Sequence, residues 1–188
     1  MSLRAKKKAA AAAAIRAAAR QLFLQQGVPE TRMEQIASSA GVSRATLFNY
    51  YPGKTALLDA LTEEFEARLV KLLRHYRGKP VSAADALHEL FNYAGSVLEQ
   101  TSQLTRLLFV QGSEGAGFPA LQSEFVALVE RGQQQGCFRG DCPPGALAEP
   151  VYLAFVASLL DWCREPARGV SDQLNQRATI LVTLLSAS

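Results

Sequence analysis

The sequence predicts an all-α protein of nine helices, arranged as a small three-helix head and a larger helical body. Three observations carry that expectation. Apolar residues recur three and four apart along the chain, and no stretch alternates apolar with polar as a half-buried strand would. Glycine, proline and helix-capping residues separate these periodic runs. The charge is also unevenly spread. Residues 1–54 hold nine Lys/Arg against Glu30 and Glu34, a net of +7, and the remainder is net −4, so the overall +3 hides a basic segment joined to an acidic one. That asymmetry points to a polyanion met by the first third alone, although a basic helix can also be merely solvated. A chain of 188 residues, 48% of them hydrophobic, can bury a core in one medium domain or two small ones. We expect a head over residues 1–53 and a body over 54–188.

Arg4, Lys6, Lys7 and Lys8 read as a mobile basic arm. The alanine run from Ala9 to Ala14 favours helix, continuing through Ile15, Ala18, Leu22 and Phe23 to Gln26, where Gly27 ends it. Ile15, Ala18, Leu22 and Val28 are expected to pack against Ile36 and Leu47. The stretch from Thr31 to Leu58 then reads as two short helices with a tight turn between them. Thr31 and Glu34 have the spacing of a capping box for the first. Gly41 lies at the reversal, and Ser43 caps the second helix. Leu47 and Tyr51, four apart, share its buried face, and Pro52 stops it. Two such helices make either a helix-turn-helix or a plain helical corner. The outward set Arg44, Ala45, Asn49 and Tyr50 favours the former. Its groups are short or planar and hydrogen-bonding, suited to base edges and phosphates, where a solvated face would carry Glu and Lys.

From Lys54 an unbroken helix is expected to Arg77, with Leu57, Leu58, Leu61, Phe65, Leu69, Leu72 and Leu73 along one side. It is long for a small domain and reads as a connector from head to body, with Lys54 beside its positive N-terminal end as a phosphate site. After Gly78 and Pro80, Ser82 and Asp85 cap a helix to about Thr101, and a shorter helix covers Leu104 to Gln111. Gly112 to Gly117 is a glycine-rich loop. Pro119 opens a helix to about Gln135, and CFRGDCPPG connects it to another from Ala146 to Arg164. After the EPARG break, Ser171 caps a last helix to Leu185.

Val151, Tyr152, Leu153, Phe155, Val156, Leu159 and Leu160 cover nearly the whole circumference of the penultimate helix, and Ile180, Leu181, Val182, Leu184 and Leu185 repeat the pattern in the last. A helix apolar all round must be buried all round. One solution is a four-helix bundle between two subunits, with Tyr152, Phe155, Leu159, Leu181 and Leu184 at the interface. The other is a central helix in a monomeric body. Phe65, Phe91, Tyr93, Phe109, Phe125, Phe155 and Trp162 line either an aromatic pocket for an apolar, uncharged ligand or an ordinary core.

No G-x-S-x-G, phosphate-loop, dinucleotide or H-E-x-x-H pattern occurs, so neither an enzyme nor a cofactor is expected. His75 and His88 lack partners at ligand spacing, which argues against a metal site. Cys137 and Cys142 share one loop, as a redox pair or as two incidental thiols, and Cys163 makes the number odd. The N-terminus lacks the apolar core of a secretory leader. The uncharged run Pro150 to Leu160 falls short of the roughly 20 residues of a membrane span. A reducing cytoplasm is the expected setting.

Thr31 to Leu58 closely resembles the head of the TetR (tetracycline repressor) family of transcriptional regulators. The resemblance rests on I-A-x-x-A-G-V-S from Ile36 to Ser43, Thr46-Leu47-Phe48, the aromatic pair Tyr50-Tyr51, and Lys54 followed by Leu57. The nine-helix layout resembles that family more loosely. The resemblance implies a homodimer whose heads bind double-stranded operator DNA and whose bodies bind a small molecule that controls operator affinity. Carried over by position, Arg44 and Ala45 read bases, with Asn49 a shorter reader beside them. Thr46, Tyr50 and Lys54 meet phosphates, and Thr31 and Ser43 lie near the backbone. Leu47, Phe48 and Tyr51 are expected in the core. The reading that follows is a homodimeric repressor released from a palindromic operator by an apolar or aromatic ligand. The alternative is a DNA-binding regulator or architectural protein controlled by a protein partner, without a small-molecule effector.

Overall fold

The computed structural model describes residues 2–100, 102–111, 118–165 and 169–187. These contain nine helices: α1 (Leu3–Gln26), α2 (Met33–Ser39), α3 (Arg44–Tyr50), α4 (Lys54–Arg77), α5 (Ala83–Gln100), α6 (Ser102–Gln111), α7 (Pro119–Gln134), α8 (Pro144–Arg164) and α9 (Val170–Leu185). Among the described residues, β pairing is limited to one isolated antiparallel bridge between Phe138 and Ser186. The Gly112–Gly117 stretch, Thr101, residues 166–168 of the EPARG break and the Phe109 side chain lie outside the described residues.

The chain divides into two compact units. One runs to Glu64 and takes in the second half of α6 from Arg106. The other holds α4 from Phe65, α5, the start of α6 and everything from α7 on. The division falls inside α4, so a single helix belongs to both. In the first unit, the head, α1 packs on α2 and α2 on α3. Its buried side chains are Ile15, Ala18, Ala19, Phe23, Val28, Ile36, Ala37, Leu47 and Tyr51. Leu57, Leu58 and Leu61 of α4 are buried as well. Leu22 is only half-buried, and Phe23 takes the inward position.

The basic arm is corrected here: Arg4, Lys6, Lys7 and Lys8 are the first turns of α1 itself. Six consecutive alanines carry helix toward the N-terminus with almost no side-chain entropy cost. Ser2 closes it, its hydroxyl accepting from Ala5 N at 3.2 Å. This adds fixed direction to charges that a coil would leave wandering.

In the body, α5 packs most closely along α9 and α7 along α8, and α8 also lies against α9. Helix ends here are capped from other helices. Glu66 of α4 accepts from Ala120 N (2.9 Å) and Leu121 N (3.1 Å) at the start of α7. Arg131 of α7 donates back to the carbonyls of Arg77, Lys79 and Val81 past the end of α4. Ser171, expected as the cap of the last helix, lies inside its first turn. Gly169 occupies the cap position without a side chain, and Glu99 of α5 accepts from Ser171 N at 3.2 Å. Ser82 does cap α5, accepting from Asp85 N at 3.0 Å. Helix α8, 21 residues long, is apolar enough by length and composition to cross a bilayer, but 44% of its most apolar window is buried within the body.

Close approach of α5 and α9 depends on Gly95, where a Cβ would sit 2.6 Å from the Ser171 Cα. Backbone cannot yield as a flexible side chain can, so Gly95→Ala must push the two helices apart. We expect a loss of about 1–3 kcal/mol, typical of overpacking. At roughly 2–4 °C per kcal/mol for a chain of this size, thermal unfolding would register it clearly.

Candidate nucleic-acid interface

The helix-turn-helix is built from three local devices. At the start of α2, Arg32 is the residue before the helix, and Gln35 Oε1 accepts from its backbone N at 2.8 Å. The Thr31–Glu34 capping box is therefore corrected: the helix begins one residue later, and Gln35 takes the third position. Thr31 is buried, its hydroxyl donating to Gly27 O at 2.7 Å and accepting from Gln26 Nε2 at 3.3 Å. In the turn, Gly41 N donates to Ser38 O and Val42 N to Ala37 O, with Gly41 at φ +67°, a paired closure that a left-handed residue permits. At α3, Ser43 Oγ accepts from Thr46 N at 3.1 Å and lies 2.8 Å from Thr46 Oγ1. Tyr51, extended at φ −139° ahead of Pro52, ends the helix.

Leu47 is fully buried and Tyr51 nearly so, which turns Arg44, Ala45, Phe48 and Asn49 to solvent and leaves Thr46 and Tyr50 half-covered. Phe48 departs from its expected place in the core, being 36% exposed beside Arg44. It stands one residue from Leu47 and three from Tyr51, on the edge of the buried stripe, where spacing alone is ambiguous. Arg44 carries its guanidinium over the Phe48 ring, 5.5 Å from the centroid, and its Nε lies 3.2 Å from Glu34 Oε1. Lys54 is occupied differently from expectation. Its ammonium donates to Val28 O (2.8 Å) and Pro29 O (2.9 Å), fastening the α1–α2 connection to the start of α4.

Two contacts tie the end of α3 to α1. The Tyr50 hydroxyl donates to Lys8 O at 3.2 Å, which sets the exposed Lys6, Lys7 and Lys8 turn beside the recognition helix. Arg16 Nη1 donates to the Tyr51 hydroxyl at 2.9 Å while its Nε meets Glu64 Oε1 at 2.5 Å, and Arg20 meets Glu64 Oε2 at 2.5 Å. The Tyr51 hydrogen bond, reinforced by Glu64, holds the Arg16 guanidinium above its ordinary pKa. One carboxylate of α4 thus anchors α1, and α1 anchors Tyr51, the residue that closes α3.

The aromatic set of the body is dispersed. Phe91, Phe125 and Phe155 are fully buried against one another, with centroids 5.4 to 6.2 Å apart. Phe65 packs on Phe118, Trp162 is buried, and Tyr93 is half-exposed near Tyr76. A concavity of about 550 Å³ lies elsewhere, lined by Asp161, Arg164, Glu165, Gln173, Gln176 and Arg177. The expected interface residues are mostly internal: Tyr152, Phe155, Leu159 and Leu181 are buried in the subunit, and Tyr152 holds Phe118 N at 2.9 Å. Leu184 is exposed, and with it Leu153, Leu160 and Ile180, which sequence reasoning left outside the interface set. Among the described residues, Cys137, Cys142 and Cys163 form no disulfide.

A basic, three-helix head whose third helix is capped and turned outward has the form of a helix-turn-helix DNA-binding protein. Residues 15–61 match the family model described as bacterial regulatory proteins of the tetR family. The transcriptional regulator RutR of Escherichia coli strain K12 is 31% identical over 149 residues, covering 76% of this chain and 68% of RutR. The nucleoid occlusion factor SlmA of Pasteurella multocida is 29% identical over 119 residues, or 58% of this chain and 60% of SlmA. Among solved structures, Thermus thermophilus FadR, a repressor in complex with lauroyl-CoA, superposes with a TM-score of 0.73 at 25% identity, covering 94% of this chain and 96% of that one. The chain belongs to the tetR family of bacterial regulatory proteins and is a DNA-binding transcriptional regulator.

The Ser43 cap gives a direct check on the local construction of α3. Ser43→Ala removes the acceptor of Thr46 N and should cost about 0.5–2 kcal/mol of head stability. Chemical denaturation followed by circular dichroism would measure it.

Proposed function

We propose that this protein is a homodimeric repressor that binds a palindromic operator and is released by a small apolar ligand. The observation that carries the DNA-reading part is the outward face of α3, where Arg44, Ala45 and Asn49 are exposed together. In this reading Arg44 makes the base contact, a planar fork suited to guanine O6 and N7. Ser43, Thr46 and Tyr50 hold phosphates, and Lys6, Lys7 and Lys8 extend the contact along the backbone. Lys54 and Thr31 act indirectly, by fixing the α1–α2 connection from which the recognition helix is hung.

For the dimer, support comes from the apolar side chains left uncovered on α8 and α9. Leu153 is 55% exposed, Leu160 37%, Ile180 52% and Leu184 65%. A second copy covering the same face by two-fold symmetry would bury all four twice over. Two heads roughly 34–36 Å apart then address successive major grooves, which is why a palindrome is inferred.

The ligand is inferred to be apolar because the body interior offers it rings and aliphatic chains, and FadR is described with lauroyl-CoA. With Phe91, Phe125 and Phe155 in contact, an effector must part them to enter. Such parting shifts α7, which is tied to α4 through Glu124, and α4 continues into the head. A coupling of about 1–3 kcal/mol between ligand and operator is the usual scale for such a device. The match to SlmA supports a second reading, in which the body answers to a protein partner and no small molecule is involved. A cytoplasmic setting fits work on DNA in both readings.

Three measurements test these assignments. Arg44→Ala should weaken operator binding by about 1–3 kcal/mol and relax preference at one base pair, read by fluorescence anisotropy on operator variants. Equal weakening on every sequence would remove its base-reading role. Ile180→Glu with Leu184→Glu should convert a dimer to a monomer in light scattering while leaving helix content intact, and a wild-type monomer at micromolar concentration would end the dimer proposal. Thermal shift against acyl-CoA thioesters and aromatic compounds, repeated with operator competition, separates the ligand reading from the partner reading.

A further inference from the structure

Within the basic first third, Glu34 is an anomaly. It is one of only two acidic residues among the first 54. It is exposed on α2, beside the helix that faces DNA, where a carboxylate is repelled by phosphates. It takes no part in capping α2, since Gln35 does that. Its contact is Arg44, with Oε1 3.2 Å from Nε, both side chains largely in solvent. The opposite constraint on Arg44 is Phe48, whose ring underlies the guanidinium at 5.5 Å.

Glu34 stands on the Nε side of the guanidinium and Phe48 lies beneath it. Among the described residues, Nη1 and Nη2 of Arg44 make no hydrogen bond within the protein. That pair is the fork which can meet two acceptors of one base. An arginine without such restraint swings readily to a nearby phosphate, giving affinity without sequence preference.

We propose that Glu34 and Phe48 are positioning residues for Arg44, and that Glu34 exchanges some overall DNA affinity for discrimination at the base pair Arg44 reads. The proposal rests on the base-reading role of Arg44 given above. In water the ion pair is a weak, screened contact. In the groove, where water leaves, the same carboxylate holds the fork more strongly and also penalises a guanidinium that turns toward the backbone.

The test uses the full chain, a duplex selected by the wild-type protein from a random library, single base-pair variants of that duplex, and a random-sequence duplex. Binding is measured for wild type, E34Q, R44A and E34Q/R44A, with circular dichroism to confirm unchanged helix content. The expected result is tighter binding of E34Q to the random duplex, because a repelling charge is gone. At the one base pair that R44A flattens, discrimination should fall by about fivefold or more in E34Q, the lower end of what a bidentate contact supplies. In the R44A background, E34Q should change discrimination nowhere. If E34Q keeps wild-type discrimination at that pair, whatever happens to overall affinity, Glu34 is only a repelling charge and the proposal is overturned while base reading by Arg44 stands. If R44A flattens no base pair, both fall together.

Discussion

A helix of seven residues does not hold itself in water, because nucleation is costly and two turns return too few hydrogen bonds. Helix α3 is such a helix, and the head is organised around keeping it folded and aimed. Ser43 supplies the N-terminal acceptor, Leu47 buries one side, and Tyr51 closes the end against Arg16. Arg16 is in turn fixed by Glu64, three turns into α4. The placement of α3 therefore depends on the α1–α4 ion pairs behind it. The compact head accordingly reaches Glu64, beyond the expected boundary at residue 53.

The body applies a similar principle at larger scale. Its helices satisfy one another's termini: Glu66 for α7, Arg131 for the end of α4, Glu99 for α9. Glu124 adds a nearly buried carboxylate between Arg74 and Arg77. Charged groups in such places contribute little net stability against an apolar alternative, but they are costly to leave unpaired. They favour discrete arrangements over gradual sliding.

Much of this was legible in the chain itself. Helix existence and order follow from apolar spacing and from glycine and proline positions, and α4 matched its expected Lys54–Arg77 span because Pro52 and Gly78 flank an uninterrupted stripe. Capping was legible only where the acceptor is local. Ser43 and Ser82 could be read directly. Ser171 could not, because Glu99 reaches its backbone N from another helix, and Thr31 could not, because its hydroxyl is turned to Gly27 O and Gln35 takes over the start of α2. The basic arm was misread as coil since lysine runs suggest solvation, and the alanines behind it prevail. Four of the five residues expected at a subunit interface, Tyr152, Phe155, Leu159 and Leu181, are buried within the subunit for a geometric reason. A helix apolar all round has more than one inward direction, and only packing against α7 and α5 decides which residues are used up inside the subunit.

By itself, then, the sequence determined the all-α class, the helix-turn-helix and the residues on the outer face of α3, because these depend on periodicity, local caps and a dense motif. Tertiary structure alone decided what those residues touch. It turned Lys54 onto the carbonyls of Val28 and Pro29, set Arg44 between Glu34 and Phe48, and left Leu153, Leu160, Ile180 and Leu184 uncovered. Side-chain partners lie across helices, at separations where a one-dimensional pattern carries no distance information.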